Sequence, residues 1–300
     1  MKVEKNMYKI GILALLVSAI LTAVSQVFYA NRVQVIHPFL FTGISFFITA
    51  IYFQCFALQQ KATPQWRYAW KPLFKLNIAS VITFMGFYFA LKYIEPAIVS
   101  SLEMAIGPLF ILLLTFFQRK AVQKSQWAIA VATFMACGIL ITAVLLGQSG
   151  VAMQLSMEVI LGIFASMICG IGAVFCSVYS KQLNELGWTS SMVLAKRYIG
   201  IILISFLFTY DIIIPYFKDN IIWILAITIV GVMLPMYLLQ KGIQYTNTFL
   251  VMMSLCFIPV FTFIFQLFDT RIEVSFITLG GVILLFICGI LSIWLESNKY

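Results

Sequence analysis

Residues 128–146 read AIAVATFMACGILITAVLL, nineteen in a row without a charge. A helix of that length reaches about 30 Å at 1.5 Å per residue, the thickness of a bilayer's hydrocarbon core. Working outward from it in both directions, the chain holds ten such runs: Ile10–Asn31, Pro38–Gln59, Pro72–Leu91, Pro96–Phe117, Ser125–Leu146, Val159–Ser180, Ser190–Tyr210, Ile221–Leu239, Gly242–Phe268 and Val274–Leu295. The connections between them are short, and none could form a soluble domain. Apolar residues make up 63% of the 300 and charged residues only 10%, with a mean hydropathy of +1.04. A soluble domain of this size cannot bury that much apolar surface, so lipid must cover the excess. The fold class expected is all-α: a polytopic membrane protein of ten transmembrane helices.

The net charge of +9 is distributed as a topology signal. Basic residues lie between the apolar runs and form no aromatic-interleaved patch of the kind that reads nucleic acid. With the N-terminus inside, fifteen Lys and Arg fall in alternate loops on the inner side, and only Arg32, Lys92, Lys218 and Arg271 fall outside. Both termini are therefore expected in the cytoplasm, in a bacterial inner (plasma) membrane. The first apolar run continues from Ile10 to Phe28 without a clear cleavage site and is read as a span, not a signal peptide. Pro38, Pro72 and Pro96 open runs, where a missing N–H costs nothing. Trp127, Trp188, Trp223 and Trp294 lie near run ends, where an amphipathic ring suits the interface. The six cysteines sit inside runs without a Cys-x-x-Cys pair, and His37 is the lone histidine. They read as small packing residues, with no disulfide, metal or cofactor expected.

Cys137-Gly138-Ile139-Leu140, at the heart of the opening stretch, returns 151 positions later as Cys288-Gly289-Ile290-Leu291. The same offset lays Pro108 on Pro259, and Gly11, Ile12, Ala14, Ile20 and Val27 on Gly162, Ile163, Ala165, Ile171 and Val178. A constant offset across three segments divides the chain into two five-span repeats, residues 1–148 and 149–300, joined through Gly147–Leu155. Five is odd, so the second repeat enters the membrane from the opposite side. Inverted repeats of this kind provide two equivalent packings around one central site, the architecture of alternating access.

Ala90-Leu91-Lys92-Tyr93 ahead of a fourth span carrying Pro108 resembles the drug/metabolite transporter superfamily, EamA type. Gly242-Ile243-Gln244-Tyr245 followed by Pro259 is a weaker second copy, and the resemblance covers essentially the whole chain. It implies a ten-helix carrier, often an exporter of amino acids, other metabolites or drugs. It also implies a cavity lined by spans 1, 3, 4, 6, 8 and 9, with spans 5 and 10 behind. Many members carry an arginine about seven residues after the proline that opens span 2. Here that position is Ser45, while the corresponding region of span 7 carries Lys196 and Arg197.

Glu103 is the sharpest chemical signal, an acid seven residues after Pro96 inside an apolar run. Such a group costs a few kcal/mol (about 2.5–3.5 on insertion scales) and persists where it has a use or a partner. It reads as a proton carrier or a counter-charge to a cationic substrate, against the alternative of a structural bond to a neighbouring helix or to Lys92. Ser100 shares its face. Span 1 carries a polar stripe of Ser18, Thr22, Ser25, Gln26 and Tyr29, which faces either a cavity or another helix. Span 3 offers Asn77, Ser80, Phe84, Phe87 and Tyr88, a wall suited to an amphipathic substrate or to aromatic packing. Ser254, with Pro259, Thr262 and Gln266, is the span 9 counterpart. Pro108, Pro235 and Pro259 free carbonyls and permit kinks. Lys196 and Arg197 lie shallow enough in span 7 to snorkel to cytoplasmic headgroups, with a cavity role as the alternative. Asp211, Asp219, Asp269 and Glu273 fall at the external ends and read as solvated.

An enzyme would need clustered acids and histidines, or a nucleophile beside a base, and no phosphate-binding glycine loop is present. The expected function is secondary transport of a small metabolite, as an exporter coupled to protons, with a facilitator, an uptake carrier or a non-transport membrane subunit as alternatives. The expected partners are a small-molecule substrate and the lipid bilayer, with no nucleic acid, and the chain can act as a monomer.

Overall fold

The computed structural model describes residues 2–32, 36–60, 64–148, 156–269 and 273–297. Ten helices within it are long and apolar enough to cross a membrane, and no strand occurs among the described residues. They are span 1 (Asn6–Ala30), span 2 (Pro38–Leu58), span 3 (Trp66–Tyr93), span 4 (Pro96–Phe117), span 5 (Lys124–Leu145), span 6 (Met157–Glu185), span 7 (Ser190–Thr209), span 8 (Asn220–Tyr245), span 9 (Thr248–Gln266) and span 10 (Phe276–Leu295). Most of the Gly147–Leu155 linker lies outside the described residues.

Local chemistry sets the helix starts. Pro38 and Pro96 occupy first-turn positions of spans 2 and 4. Ser156, Thr189 and Asn247 cap spans 6, 7 and 9 by accepting the N–H groups of Val159, Met192 and Leu250. Pro72 departs from the expectation: span 3 starts at Trp66, so the proline lies inside the helix. Trp66, Tyr68 and Trp70, all exposed, extend the helix beyond its apolar run, as amphipathic rings at an interface do. Span 8 likewise runs on to Tyr245, so Gly242-Ile243-Gln244-Tyr245 ends span 8 and does not open span 9. Trp188 is a third correction. It is fully buried, edge-on to Trp66 at 4.6 Å, and belongs to the core instead of the interfacial belt.

Sidedness follows the apolar periodicity. In span 1, Leu13, Val17 and Ile20 face outward while Ser18, Ser25 and Gln26 are buried. Spans pair across the chain: 1 with 8 and 9, 2 with 7, 3 with 6, 4 with 6 and 9, and 5 with 10. Glycine permits the closest of these approaches. A Cβ on Gly170 of span 6 would overlap the backbone carbonyl of Glu103 in span 4, so these helices meet backbone to backbone beside the acid.

Three spans are irregular. Span 9 breaks at Cys256, ahead of Pro259. Span 8 contains a π-helical turn over Thr228–Met233, directly before Pro235. Span 7 breaks at Arg197 and Tyr198, without a proline. Span 4 runs through Pro108, whose missing N–H leaves the Met104 carbonyl without its helical donor. The Cys256 thiol lies 3.6 Å from that oxygen.

Candidate functional site

A central cavity of about 90 Å³ lies between the helices. Its walls come from spans 1, 3, 4, 6, 8 and 9, with single residues from spans 2 and 7 and none from spans 5 and 10. Nine of the residues picked out from the sequence line it: Ser18, Thr22, Ser25 and Gln26 from span 1, Phe84, Phe87 and Tyr88 from span 3, Glu103 from span 4 and Arg197 from span 7. The span 1 stripe is thus turned to the cavity and not to lipid. Ser18 also donates to the Pro235 carbonyl at 2.8 Å, tying span 1 to span 8.

The other candidates sit around the cavity without lining it. Tyr29 is buried against Phe41 and Tyr88, with ring centroids 4.7 and 5.0 Å away. Ser100 donates to Gln26 Oε1 at 2.5 Å, and Thr262 donates to the same oxygen at 3.0 Å, so Gln26 joins spans 1, 4 and 9. Ser80 lies beneath Arg197, accepting from its Nε at 3.3 Å. Ser254 is fully buried, and its hydroxyl has no hydrogen-bond partner among the described residues. Asn77 does something the sequence did not suggest. Its amide straddles the break in span 7, donating to the Lys196 carbonyl at 3.0 Å and accepting from the Gly200 N–H at 2.9 Å. One side chain thereby satisfies both backbone groups at the break, as the membrane interior requires.

Arg197 occupies that break and overturns the snorkelling expectation. It is 2% exposed, lines the cavity, and rests over the rings of Phe84 and Tyr198 at 5.6 and 5.3 Å. Lys196 beside it does not line the cavity. The cavity therefore holds one base and one acid. Glu103 is 6% exposed, and its carboxyl has neither a hydrogen bond nor an ion pair among the described residues. It lies close enough to Tyr88 to interact with it electrostatically.

Much of the wall is apolar, from Phe46, Phe87, Met104, Met252, Leu255 and Ile258. Phe87 belongs to the span 3 wall read from the sequence; the others were missed because an apolar residue in a membrane span carries no mark of facing a cavity. Toward one end, Gln266 donates to Glu95 at 2.5 Å, linking the end of span 9 to the start of span 4. Asp269, expected to be solvated, is buried near the same end, whereas Asp211 and Glu273 are exposed. At the opposite end, Lys181 of span 6 donates to the carbonyls of Ile243, Gln244 and Thr246 at 3.3, 3.4 and 2.6 Å, closing the C-terminus of span 8.

Residues 9–143, which supply spans 1 to 5 and with them Glu103, match the EamA-like transporter family. That match spans 135 of the 300 residues. A solved crystal structure is similar over 98% of this chain and 99% of its own, with a TM-score of 0.67 at 18% identity, so the fold extends through the second half. No curated protein matches the chain. The chain has ten helices apolar and long enough to cross a membrane and is similar over residues 9–143 to EamA-like transporters, and the cavity is the place in it where a solute could be held.

Proposed function

We propose that this EamA-like protein is a secondary carrier that moves a small amphipathic metabolite, such as an amino acid, across the bacterial inner membrane by alternating access, exporting it in exchange for protons. The observation that carries the reading is Glu103: a buried carboxyl without a hydrogen-bond or ion-pair partner among the described residues, facing a cavity between helices. A structural acid in this setting would be paired, because an unpaired buried polar group costs free energy. An acid that binds and releases a proton as the cavity opens to either side has reason to stay unpaired. In this reading Ser18, Thr22, Ser25, Gln26, Phe84 and Tyr88 contact the substrate. Tyr29, Asn77, Ser80, Ser100 and Ser254 act from behind them.

The span pairing supports two equivalent halves, residues 1–148 and 149–300. Exchanging each span for the one five further along turns the pair 3 and 6 into 8 and 1, and 4 and 6 into 9 and 1. It leaves 2 with 7, 4 with 9 and 5 with 10 unchanged. A bundle with that property can rock between two similar packings.

The test is counterflow in vesicles containing the full chain, using compounds whose release differs between cells with and without the protein. Saturable exchange that accelerates when the inside is loaded with unlabelled compound marks a carrier; a non-transport subunit gives no flux. A facilitator exchanges but does not concentrate its substrate when a proton gradient is imposed, and an uptake carrier concentrates it inward. The inverted arrangement is checked by reporters fused after Lys120 and at residues 147–150. The first is expected on the cytoplasmic side and the second outside, and finding both on one side would end the five-plus-five reading.

A further inference from the structure

Arg197 is a full positive charge with no counter-charge among the described residues. Guanidinium is not deprotonated in proteins, so burial does not neutralise it. Of its donors, Nε goes to Ser80, and neither Nη nitrogen makes a hydrogen bond or an ion pair among the described residues. Phe84 and Tyr198 lie against the guanidinium, and Arg197 is part of the cavity wall. A buried cation is costly unless an anion meets it. The fork of two Nη groups fits the paired oxygens of a carboxylate or a phosphate.

We propose that Arg197 is an anion subsite, and that the transported molecule carries an oxyanion, a carboxylate or phosphate, seated on its Nη edge. The proposal rests on the carrier reading above and narrows its substrate class. Charge balance with Glu103 argues for the same conclusion. The empty cavity is neutral with Glu103 ionised and Arg197 charged. A molecule bearing both an anionic and a cationic group keeps it neutral without any protonation change. A monoanion keeps it neutral when Glu103 holds a proton. A lone cation leaves the cavity positive in either state of Glu103, so Arg197 acts as a filter against simple amines, and a cationic counter-charge role for Glu103 alone is disfavoured.

Two measurements on the full chain test this. In the metabolite comparison, every compound whose release depends on the protein should bear a carboxylate or a phosphate, and the compounds themselves show which. A transported amine or neutral compound lacking both overturns the proposal. The second measurement needs no substrate. With Thr22→Cys introduced and Cys176→Ala removing the native thiol on the cavity wall, the protein in vesicles is treated with negatively and positively charged methanethiosulfonates of similar size. Modification at position 22 is read by peptide mass spectrometry. The anionic reagent should react faster, and the ratio of rates should fall on the order of tenfold in Arg197→Gln. Arg197→Lys, which keeps the charge, should retain most of the ratio and guards against a merely misfolded Gln variant. A ratio unchanged by Arg197→Gln, a preference for the cationic reagent, or exclusion of both reagents overturns the subsite. If counterflow fails while the anionic preference holds, the carrier reading falls and the subsite stands; the reverse pattern removes the subsite and leaves the carrier.

Discussion

Two joints in the bundle use corresponding positions and come out differently. Where span 3 meets span 7, Asn77 bridges the break at Lys196 and Gly200. Where span 8 meets span 2, the Thr228 hydroxyl donates to Ser45 Oγ at 2.8 Å. Thr228 lies 151 residues after Asn77 and Lys196 lies 151 after Ser45, so in the two-repeat reading proposed above the two joints are one contact made twice. An amide carries its donor and its acceptor on separate atoms and here bridges a carbonyl and an N–H, whereas the Thr228 hydroxyl gives its one proton to Ser45 Oγ. Span 2 runs unbroken from Pro38 to Leu58, while span 7 breaks. The next residue at each joint, Phe46 or Arg197, lines the cavity. The polar asymmetry is reciprocal: Glu103 in the first half has Ser254 as its counterpart, and Arg197 in the second has Phe46. Each half contributes one charge to the cavity, so any rocking of one half against the other changes the distance between acid and base.

The largest effect is expected where that asymmetry carries the proton. Glu103→Gln keeps size and hydrogen-bonding capacity but cannot change charge, so transport driven by a pH gradient should fall to background in vesicles while the protein stays folded and inserted. Any dependence of flux on pH that arises from Glu103 should disappear with it. Downhill exchange surviving in the variant would identify a facilitator with a proton brake removed. Gradient-driven transport with unchanged pH dependence would reduce Glu103 to a structural residue.

The joints themselves come next. Asn77→Ala leaves the Lys196 carbonyl and the Gly200 N–H without their partner, and buried groups so orphaned cost about 1–3 kcal/mol. Thr228→Val removes a single neutral hydrogen bond, worth about 0.5–1.5 kcal/mol. Thermal unfolding in detergent should therefore show Asn77→Ala as the more damaging of the two. Asn77→Ala should also weaken the anionic preference at position 22, because it loosens the turn that presents Arg197. Equal losses at the two joints would mean that the break in span 7 is held by packing and not by the amide.

The spans were legible in the sequence because crossing a bilayer is a requirement on length and polarity along the chain, which needs no tertiary information. The errors at Pro72 and Gly242 arose where helices outrun their apolar stretches into the interface. Ser18, Thr22, Ser25 and Gln26 were legible by their helical spacing, and Glu103 by the cost of an acid in an apolar run. Arg197 was misread because depth along a span does not say which way a side chain turns. Its break depends on Asn77, 119 positions away in the chain. No local pattern joins those two residues, and no proline sits in the break to announce it.

The smallest expected effect belongs to Ser254, the counterpart of Glu103. Its hydroxyl is buried without a hydrogen-bond partner among the described residues and does not line the cavity. A hydroxyl in that position contributes no bond while costing part of its hydration, so Ser254→Ala should be neutral or slightly stabilising, by less than about 1 kcal/mol. Unfolding in detergent and counterflow in vesicles should both match the parent protein. A fall in transport with unchanged stability would mean that the hydroxyl meets the substrate in the other packing of the bundle. Ser254 would then be the neutral partner of Glu103 in a site that both halves share, and the asymmetry between them would be one of charge alone.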